Sequence, residues 1–492
     1  MILCDYKSLV YFCTMQMKSL NILLIMILLI IGKIQAQQKW DLRQCVDYAL
    51  TNNISVKQTD LSAKIQQLNY KQNKQALLPA LNLTGGPGFN SGRNQDPTSF
   101  SLITQSYTSA NIQLQSSVDI FNWFSKKHTI AASKYDVDAA NASTDKLKDD
   151  IALTVANSYL QILLSKEQEK ITLVQLQQSQ SQLSNTLKLV KAGSLPELNA
   201  AELEAQVARD SANYIAAQGN VLQNTLNLKA YMSLDAGTPF EVQTPPVEFI
   251  PVENLAELQP ESVYLLALAN LPQQRVNDLK LKSAQKSVLA AKANMLPTFS
   301  AYLSLASGYN SRNQDITGSS FITPPIGKVN VSGVDYTVFP VQPYESYSYS
   351  KAPFFRQMDE NFRQSVGISV SVPILNNGRL RNAWDRNKLN VKNLEYQKEG
   401  DNLKLKQDIY QAFNLASIAL QKFNASKKTV ETAERTYSFS QKRYAVGMLT
   451  TLELLTNQNN LLRAKLEYIQ NQFDYVFKMK VLEYYKGQGL KL

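Results

Sequence analysis

The sequence predicts a mixed fold in which a transmembrane β-barrel is continued by an α-helical coiled-coil barrel. Three observations predict it: four segments alternate between apolar and polar residues, two proline-free stretches of 68 residues have helical character, and the arrangement occurs twice along the chain. We expect four strands per chain, an internal two-fold repeat, and a trimer that closes a 12-stranded barrel.

The internal repeat appears as similar residues at constant spacing. KQALLPALNL at 74–83 aligns with KANMLPTFSA at 292–301, an offset of 218 residues (292 − 74). SVDIFN at 117–122 aligns with SVPILN at 371–376, an offset of 254 (371 − 117). The second copy therefore contains about 36 additional residues (254 − 218) in one loop.

This alignment predicts the organisation of the whole chain. Repeat 1 (37–234) and repeat 2 (260–486) share one plan, which is a helix, two strands and a long helical hairpin. A proline-rich linker at 235–259 joins them, and residues 487–492 form a tail. A signal peptide is expected before repeat 1.

Residues 1–36 read as that secretory signal peptide. From Met17 the chain has a lysine, a run of apolar residues and a cleavage site at Ala36. We expect the true start to be Met15 or Met17, which would leave residues 1–14 or 1–16 untranslated. A retained membrane anchor is the alternative, although the apolar run is short for a membrane span.

Cysteine and histidine content argues against cofactor and metal sites. Only Cys45 follows the signal segment, and one cysteine cannot form an intramolecular disulfide. His128 is the single histidine, which excludes a multi-histidine metal site. The sequence contains no phosphate loop and no nucleophile beside a base, so we expect neither an enzyme nor a bound cofactor.

The formal net charge of the chain is +11. Lys and Arg are interspersed with Asp, Glu and Gln along the helical stretches, which is typical of solvated helix faces. We therefore expect no nucleic-acid partner.

The predicted strands are 80–89, 112–120, 299–305 and 366–374. Strict alternation indicates one apolar and one polar face. A soluble sheet packed on a core is the alternative, but the flanking helices lack a broad apolar face that could cover it. Three of the strands also have about the 9–11 residues that cross a bilayer when tilted, and 299–305 has seven.

Four strands cannot close a barrel by themselves. An open edge in lipid would leave backbone groups without partners, at several kcal/mol each. Other copies of the chain must pair with the edges, and three copies would supply twelve strands around a water-filled lumen.

Each second strand is followed by a helical stretch, 125–192 and 379–446, of about 100 Å. A glycine ends each stretch, and returning helices follow at 197–233 and 451–486. The apolar residues of the later helices step 4-3-4-3, as in coiled coils. They are Ile409, Phe413, Ala416, Leu420 and Phe423, then Leu462, Leu466, Ile469, Phe473 and Val476. A soluble coiled-coil scaffold would show the same helices but would not need the strands.

The additional segment of repeat 2, about 316–360, is rich in aromatic residues and proline. We predict an outer loop between two strands. It either folds over the mouth of the barrel, meets a partner, or packs locally without a role of its own.

Several segments resemble TolC-type outer membrane efflux proteins. These are WDLRQCVDYALTNNISVKQ (40–58), the LLPAL and MLPTF strand entries, SVPILNNGRLRN (371–382) and RYAVGMLTTLELL (443–455). The resemblance extends over about 39–486. It implies a homotrimer in the outer membrane, with a helical tunnel across the periplasm of a Gram-negative cell. The tunnel would join a periplasmic adaptor (membrane fusion) protein and an inner-membrane pump.

The resemblance also implies roles for residues at the helical turns. Adaptor-contact candidates are Ala192, Gly193, Leu195, Val446, Gly447, Leu449 and Thr450. Candidates for the pore constriction are Glu453, Thr456, Asn199 and Glu202. Three copies of a carboxylate around a narrow pore form an anionic ring. The alternative for Glu453 and Glu202 is that they are acids favoured in a first helical turn by the helix dipole.

These observations predict a passive outer membrane exit duct of a tripartite efflux or type I secretion system. It would conduct solutes or proteins outward, with energy supplied by a partner. The competing hypothesis is an exported coiled-coil scaffold or interaction protein without a pore.

Overall fold

The structure is a computed structural model that describes residues 39–96, 100–245, 250 and 252–487. The predicted signal peptide, residues 488–492 of the predicted tail, and residues 246–249 and 251 of the predicted linker lie outside the described residues.

Nine α-helices are present in the described part of the chain. They are α1 (Leu42–Asn52), α2 (Ile54–Gln75), α3 (Ser125–Lys191), α4 (Glu197–Met232), α5 (Pro260–Asn270), α6 (Pro272–Ala293), α7 (Phe354–Glu360), α8 (Arg379–Ala445) and α9 (Thr451–Tyr484). A short 3₁₀ turn, Leu255–Glu257, precedes α5. No described helix is long and apolar enough to cross a membrane.

The described strands number eight. They are β1 (Ala80–Gln95), β2 (Leu102–Phe121), β3 (Thr298–Asn310), β4 (Gln314–Ile322), β5 (Gly327–Val331), β6 (Val334–Val338), β7 (Tyr344–Lys351) and β8 (Arg363–Ser371). One antiparallel sheet has the order β1-β2-β3-β8, and β4–β7 and β5–β6 form two separate pairs.

The two long helices confirm the prediction from the proline-free stretches. Helices α3 and α8 have 67 residues each and end one residue earlier than expected. The ten apolar residues assigned to the coiled-coil stripes are all buried or half-buried. Narrow stripes of this kind bury side chains along a seam between neighbouring helices.

The register of the four-stranded sheet places its apolar residues on one face. Leu83 pairs with Leu114, which pairs with Leu305. Leu303 lies two residues before Leu305 on β3, therefore on the same face, and pairs with Val366 of β8. Because paired residues share a face and residues alternate along a strand, the polar residues Gln113, Gln115, Ser117, Ser300, Ser304 and Ser369 share the opposite face. The predicted alternation is therefore in register across all four strands.

The strand boundaries differ from those predicted. Strand β1 continues to Gln95, and strand β2 already starts at Leu102. The two strands pair with each other along these added segments, although the residues there do not alternate between apolar and polar. Strand β8 ends at Ser371, earlier than expected. Pro373 follows it and has no N–H to donate to a ladder, which accounts for the early end.

The predicted outer loop 316–360 is largely a β-structure. Strands β4 and β7 pair, and β5 and β6 form a hairpin between them. The hairpin turns at Ser332 and Gly333, whose φ angles are +53° and +82°, as in a two-residue type I′ turn. The Ser-Gly pair and the alternation of 327–338 could have indicated this hairpin.

The described residues form two compact units, each built from both predicted repeats. One comprises the described residues within Met1–Gln66, Val137–Lys280 and Leu394–Leu492, and the other comprises those within Gln67–Asp136 and Leu281–Asn393. The second unit contains the four-stranded sheet.

The first unit contains two hydrophobic clusters that the narrow stripes did not predict. One packs α1, through Cys45 and Ala49, against α3, α4 and α9. The other packs α5 and Leu258 against α8 and α9. Neither cluster was predicted, because the long helices show no broad apolar face by themselves and the short helices α1 and α5 cover them locally. Full burial of one leucine, such as Leu228, contributes about 1.5–3 kcal/mol.

Candidate functional site

The two turns that reverse the long helices share one backbone geometry. Gly193 and Gly447 have φ of +74° and +73°, a left-handed conformation that glycine adopts without strain. At the first turn Gly193 N–H donates to Val190 O (2.9 Å) and Ser194 N–H donates to Leu189 O (2.9 Å). Gly447 and the following residue make the equivalent bonds at the second turn. This is the Schellman motif, which satisfies the last carbonyls of a helix.

The helices that leave the turns begin differently. Helix α9 has Thr450 as its N-cap, and Thr450 and Glu453 form a capping box. Helix α4 has Pro196 in the same place, and no side chain caps its first turn. The N-cap of α9 therefore carries a side-chain hydroxyl, whereas that of α4 does not.

The adaptor-contact candidates lie at the protein surface. Leu195 and Leu449 are half-buried, and the other five candidates are exposed. The structure adds three large apolar side chains that the sequence analysis did not assign to the site: Leu198, Met448 and Leu452 are 66%, 68% and 66% exposed. Their position in or just after the turns, combined with their apolar character, could have identified them.

Glu453 is held by its own helix terminus. Its carboxylate accepts hydrogen bonds from Thr450 N–H (3.0 Å) and Thr450 Oγ1–H (2.9 Å), and its N–H donates to Thr450 Oγ1 (3.2 Å). The bond from the Thr450 N–H, followed by that from its hydroxyl, lowers the pKa of the exposed Glu453 carboxyl below its ordinary value of 4.5. Glu453 is thus anionic and oriented, as both a cap and a pore acid would be.

The other constriction candidates lie within the first two turns of the same two helices. Thr456 is exposed, and its hydroxyl donates to Leu452 O (2.7 Å). Asn199 and Glu202 are half-buried and lie one turn apart on α4. Glu453 and Thr456 have the same i, i+3 relation on α9, so each pair shares one face of its helix.

About one turn further on, α4 and α9 are joined by Gln206 and Asn459. Gln206 Nε2 donates to Asn459 Oδ1 (3.1 Å), and Asn459 Nδ2 donates to Gln206 Oε1 (3.3 Å). The helical turns that carry the constriction candidates therefore belong to helices in direct contact.

A buried polar network, comprising Ser179, Gln206, Asp210, Gln458 and Asn459, joins three helices beyond these turns. Gln206 Nε2 also donates to Asp210 Oδ1 (2.9 Å), and Gln458 Nε2 donates to Ser179 Oγ (3.0 Å). The Ser179 hydroxyl donates to Asp210 Oδ2. Buried polar groups are costly unless they are hydrogen-bonded, so these bonds specify how α3, α4 and α9 align.

Tyr437 makes a similar connection between α8 and α3. Its hydroxyl accepts hydrogen bonds from Gln178 Nε2 (2.9 Å) and Gln182 Nε2 (3.0 Å). Burial raises the pKa of Tyr437 despite the opposing effect of hydrogen bonds from Gln182 and Gln441. The glutamines interspersed along these helices have the sequence pattern of solvated side chains, so this network was not predicted.

Metal ligands and reactive thiols are further candidates for a functional site. In the part of the chain that the structure describes, no group of three His, Cys, Asp or Glu residues could hold a metal ion. Cys45 is fully buried, and that burial, with a smaller effect of Asp41, raises its thiol pKa to about 12. The described site thus consists of exposed side chains at the two turns and of hydrogen bonds between neighbouring helices close to them.

Comparison with known proteins shows which family and which relatives this chain resembles. A family model described as outer membrane efflux protein matches residues 45–233 and 263–478. Outer membrane protein TolC of Salmonella enteritidis is 22% identical over 477 residues, covering 96% of this chain and 87% of that protein. The pyoverdine export outer membrane protein OpmQ of Pseudomonas aeruginosa is 24% identical over 402 residues, covering 79% of this chain and 73% of that protein.

Solved structures share the fold at lower identity. A CusC structure, described in connection with transmembrane channel formation, superposes with a TM-score of 0.73 at 15% identity, covering 93% of this chain and 96% of that one. The CmeC outer membrane channel of Campylobacter jejuni gives 0.70 at 16% identity, covering 92% and 86%.

Proposed function

Because the chain belongs to the outer membrane efflux protein family, we propose that it is the passive exit duct of a tripartite efflux or type I secretion system. The observation that carries this proposal is the four-stranded sheet. Its apolar residues are in register on one face, and β1 and β8 each have one edge without a partner strand in the described chain.

The open edges favour closure by further copies of the chain. A lipid-facing sheet cannot leave backbone groups unpaired, so β1 of one copy would pair with β8 of the next. Three copies supply twelve strands, and the polar face lined by Gln113, Gln115 and Ser304 would then surround a water-filled lumen.

Helices α3 and α8, each about 100 Å long, would line a tunnel across the periplasm. They occupy corresponding places in the two predicted repeats, each after a strand of the sheet and before a shorter returning helix. The proposal treats 37–234 and 260–486 as two copies of one unit, joined by 235–259.

The helix turns are the proposed contact with a periplasmic adaptor. Their exposed apolar side chains, Leu198, Met448 and Leu452, would be covered when the adaptor binds. The adaptor would join the duct to an inner-membrane pump, which supplies the energy. Efflux and secretion systems are distinguished by the transporter that copurifies with the duct.

The proposed constriction lies in the first two turns of α4 and α9. Three symmetry copies of Glu453 would form an anionic ring that favours cations, with Thr456, Asn199 and Glu202 beside it. Only one acid of this set, Glu453, has its carboxylate oriented by the cap described above.

The test is the state of the protein extracted from outer membranes with detergent. We expect a particle of three chains by light scattering that conducts ions in a planar bilayer. A water-soluble monomer or dimer without conductance would refute the duct. It would favour the scaffold hypothesis, because a scaffold needs neither detergent nor a lumen.

A further inference from the structure

The ribbon formed by β4–β7 with the β5–β6 hairpin at its end carries an apolar surface that the duct does not use. It leaves the four-stranded sheet after Asn310, at the end of β3 remote from α6, and returns to β8. In the predicted orientation this is the outer end of the barrel.

The base of the ribbon is fastened to the sheet by partly buried hydrogen bonds. The Gln357 side chain is 2% exposed, accepts a bond from Asn310 N–H (3.0 Å) and donates one to Ala352 O (2.9 Å). Asn361 Nδ2 donates to Gly308 O (2.7 Å). Arg356 forms an ion pair with Asp315 (3.0 Å). These contacts give the ribbon a defined root on β3.

The hairpin at the far end has one apolar and one polar face. Val329 pairs with Tyr336, Val331 pairs with Val334, and Val338 lies on the same face. The opposite face is formed by two polar pairs, Lys328 with Thr337 and Asn330 with Asp335. The apolar face is uncovered in this chain, since Val334 and Tyr336 are 55% and 57% exposed.

A two-stranded hairpin with an open apolar face is at best marginally stable in water. Burial of its apolar side chains against another surface would therefore stabilise the hairpin. The charges of the whole ribbon are two basic residues (Lys328, Lys351) and three acidic ones (Asp315, Asp335, Glu345), which are nearly balanced. Copies of the ribbon would approach one another with little repulsion.

We propose that the apolar faces of the β5–β6 hairpins from three copies pack against one another over the outer opening of the pore. The inference rests on the proposed trimer. Three ribbons rooted on one rim are held at millimolar effective concentration, so each hairpin has two identical partners nearby. An apolar face meeting copies of itself around a closed axis buries all three equally.

The dimensions allow this arrangement. Twelve strands about 4.8 Å apart and tilted about 40° form a barrel roughly 24 Å across. Strand β4 alone, with nine residues, extends about 30 Å, which exceeds the barrel radius. Prolines at 324, 325, 340 and 343 lie between the two ladders, where their missing N–H groups interrupt pairing and separate the hairpin from the stem.

Disulfide trapping in the detergent-extracted particle tests the proposal. Val334→Cys places a thiol on the apolar face, and Thr337→Cys is the matched control on the polar face of the same strand. Cys45 is buried and can be kept, and Cys4 and Cys13 lie in the predicted signal peptide. On mild oxidation we expect V334C to give one disulfide-linked pair and one single chain in each particle of unchanged mass, and all T337C chains to remain single.

The other outcomes separate this proposal from the duct itself. Equal cross-linking of V334C and T337C, or none of either, in a conducting particle of three chains would overturn the hairpin packing and leave the duct intact. Protection of V334C from a water-soluble maleimide without cross-linking would assign the apolar face to lipid or another protein, and would also overturn it. A particle that is not a trimer would overturn both proposals.

Discussion

Replacing Ser179 by alanine removes the hydroxyl at the centre of the buried polar network. Ser179 is 0% exposed, donates to Asp210 and accepts from Gln458 Nε2 at 3.0 Å. The change leaves the Asp210 carboxylate with one donor fewer and the Gln458 amide without this acceptor. Each unsatisfied buried group costs about 1–3 kcal/mol, so the two groups together predict a loss of about 2–6 kcal/mol.

Ser181→Ala is the matched control, because this exposed hydroxyl donates only to the carbonyl one turn back, Gln177 O. Its effect should stay within about 0.5 kcal/mol. The assay is thermal unfolding of the detergent-extracted protein followed by circular dichroism at the helix band, with hydrogen exchange of α4. We expect S179A to lower Tm and to speed exchange around Asp210. Equal Tm values and equal exchange for the two variants would refute the argument that this network aligns the helices.

Three further predictions concern the turns and the buried thiol. Glu453→Ala should raise the single-channel conductance of the isolated trimer and reduce its cation selectivity, and Glu467→Ala is the control. Because the pKa of Glu453 is lowered, the difference in conductance between wild type and Glu453→Ala should persist at every pH above 4.5. It should be lost only as the pH falls through the lower pKa of Glu453 in the folded protein. Unchanged conductance and selectivity would exclude Glu453 from the constriction. Gly447→Ala should lower Tm by straining a φ of +73°, at a cost of about 1 kcal/mol or more, whereas Gly219→Ala within α4 should raise it slightly; equal shifts would contradict the turn geometry. Cys45, with its thiol pKa raised to about 12, should resist iodoacetamide at neutral pH until the protein is denatured, as mass spectrometry would show; rapid labelling of the native protein would contradict its burial.

The turn at the end of each long helix was largely predictable from sequence. Gly193 and Gly447 end proline-free helical stretches, and a helix that must reverse needs a left-handed residue there. The Thr450–Glu453 capping box is equally local, because its partners are three residues apart. The exposure of Met448 was not predicted, since the sequence does not show which apolar side chains of a turn find cover.

The sequence by itself determined the helical hairpins and the apolar face of the sheet, because both depend on periodicity and on turn residues within a few positions of each other. Only the tertiary structure decided which polar side chains are buried. Gln206 and Asn459 lie 253 positions apart, and no local pattern distinguishes them from solvated residues on the same helices. The extent of β1 and β2 was also decided by pairing, because Gln95 and Leu102 become strand residues through the partner opposite. Local chemistry specifies an element, whereas contacts between distant residues specify its neighbours and its limits.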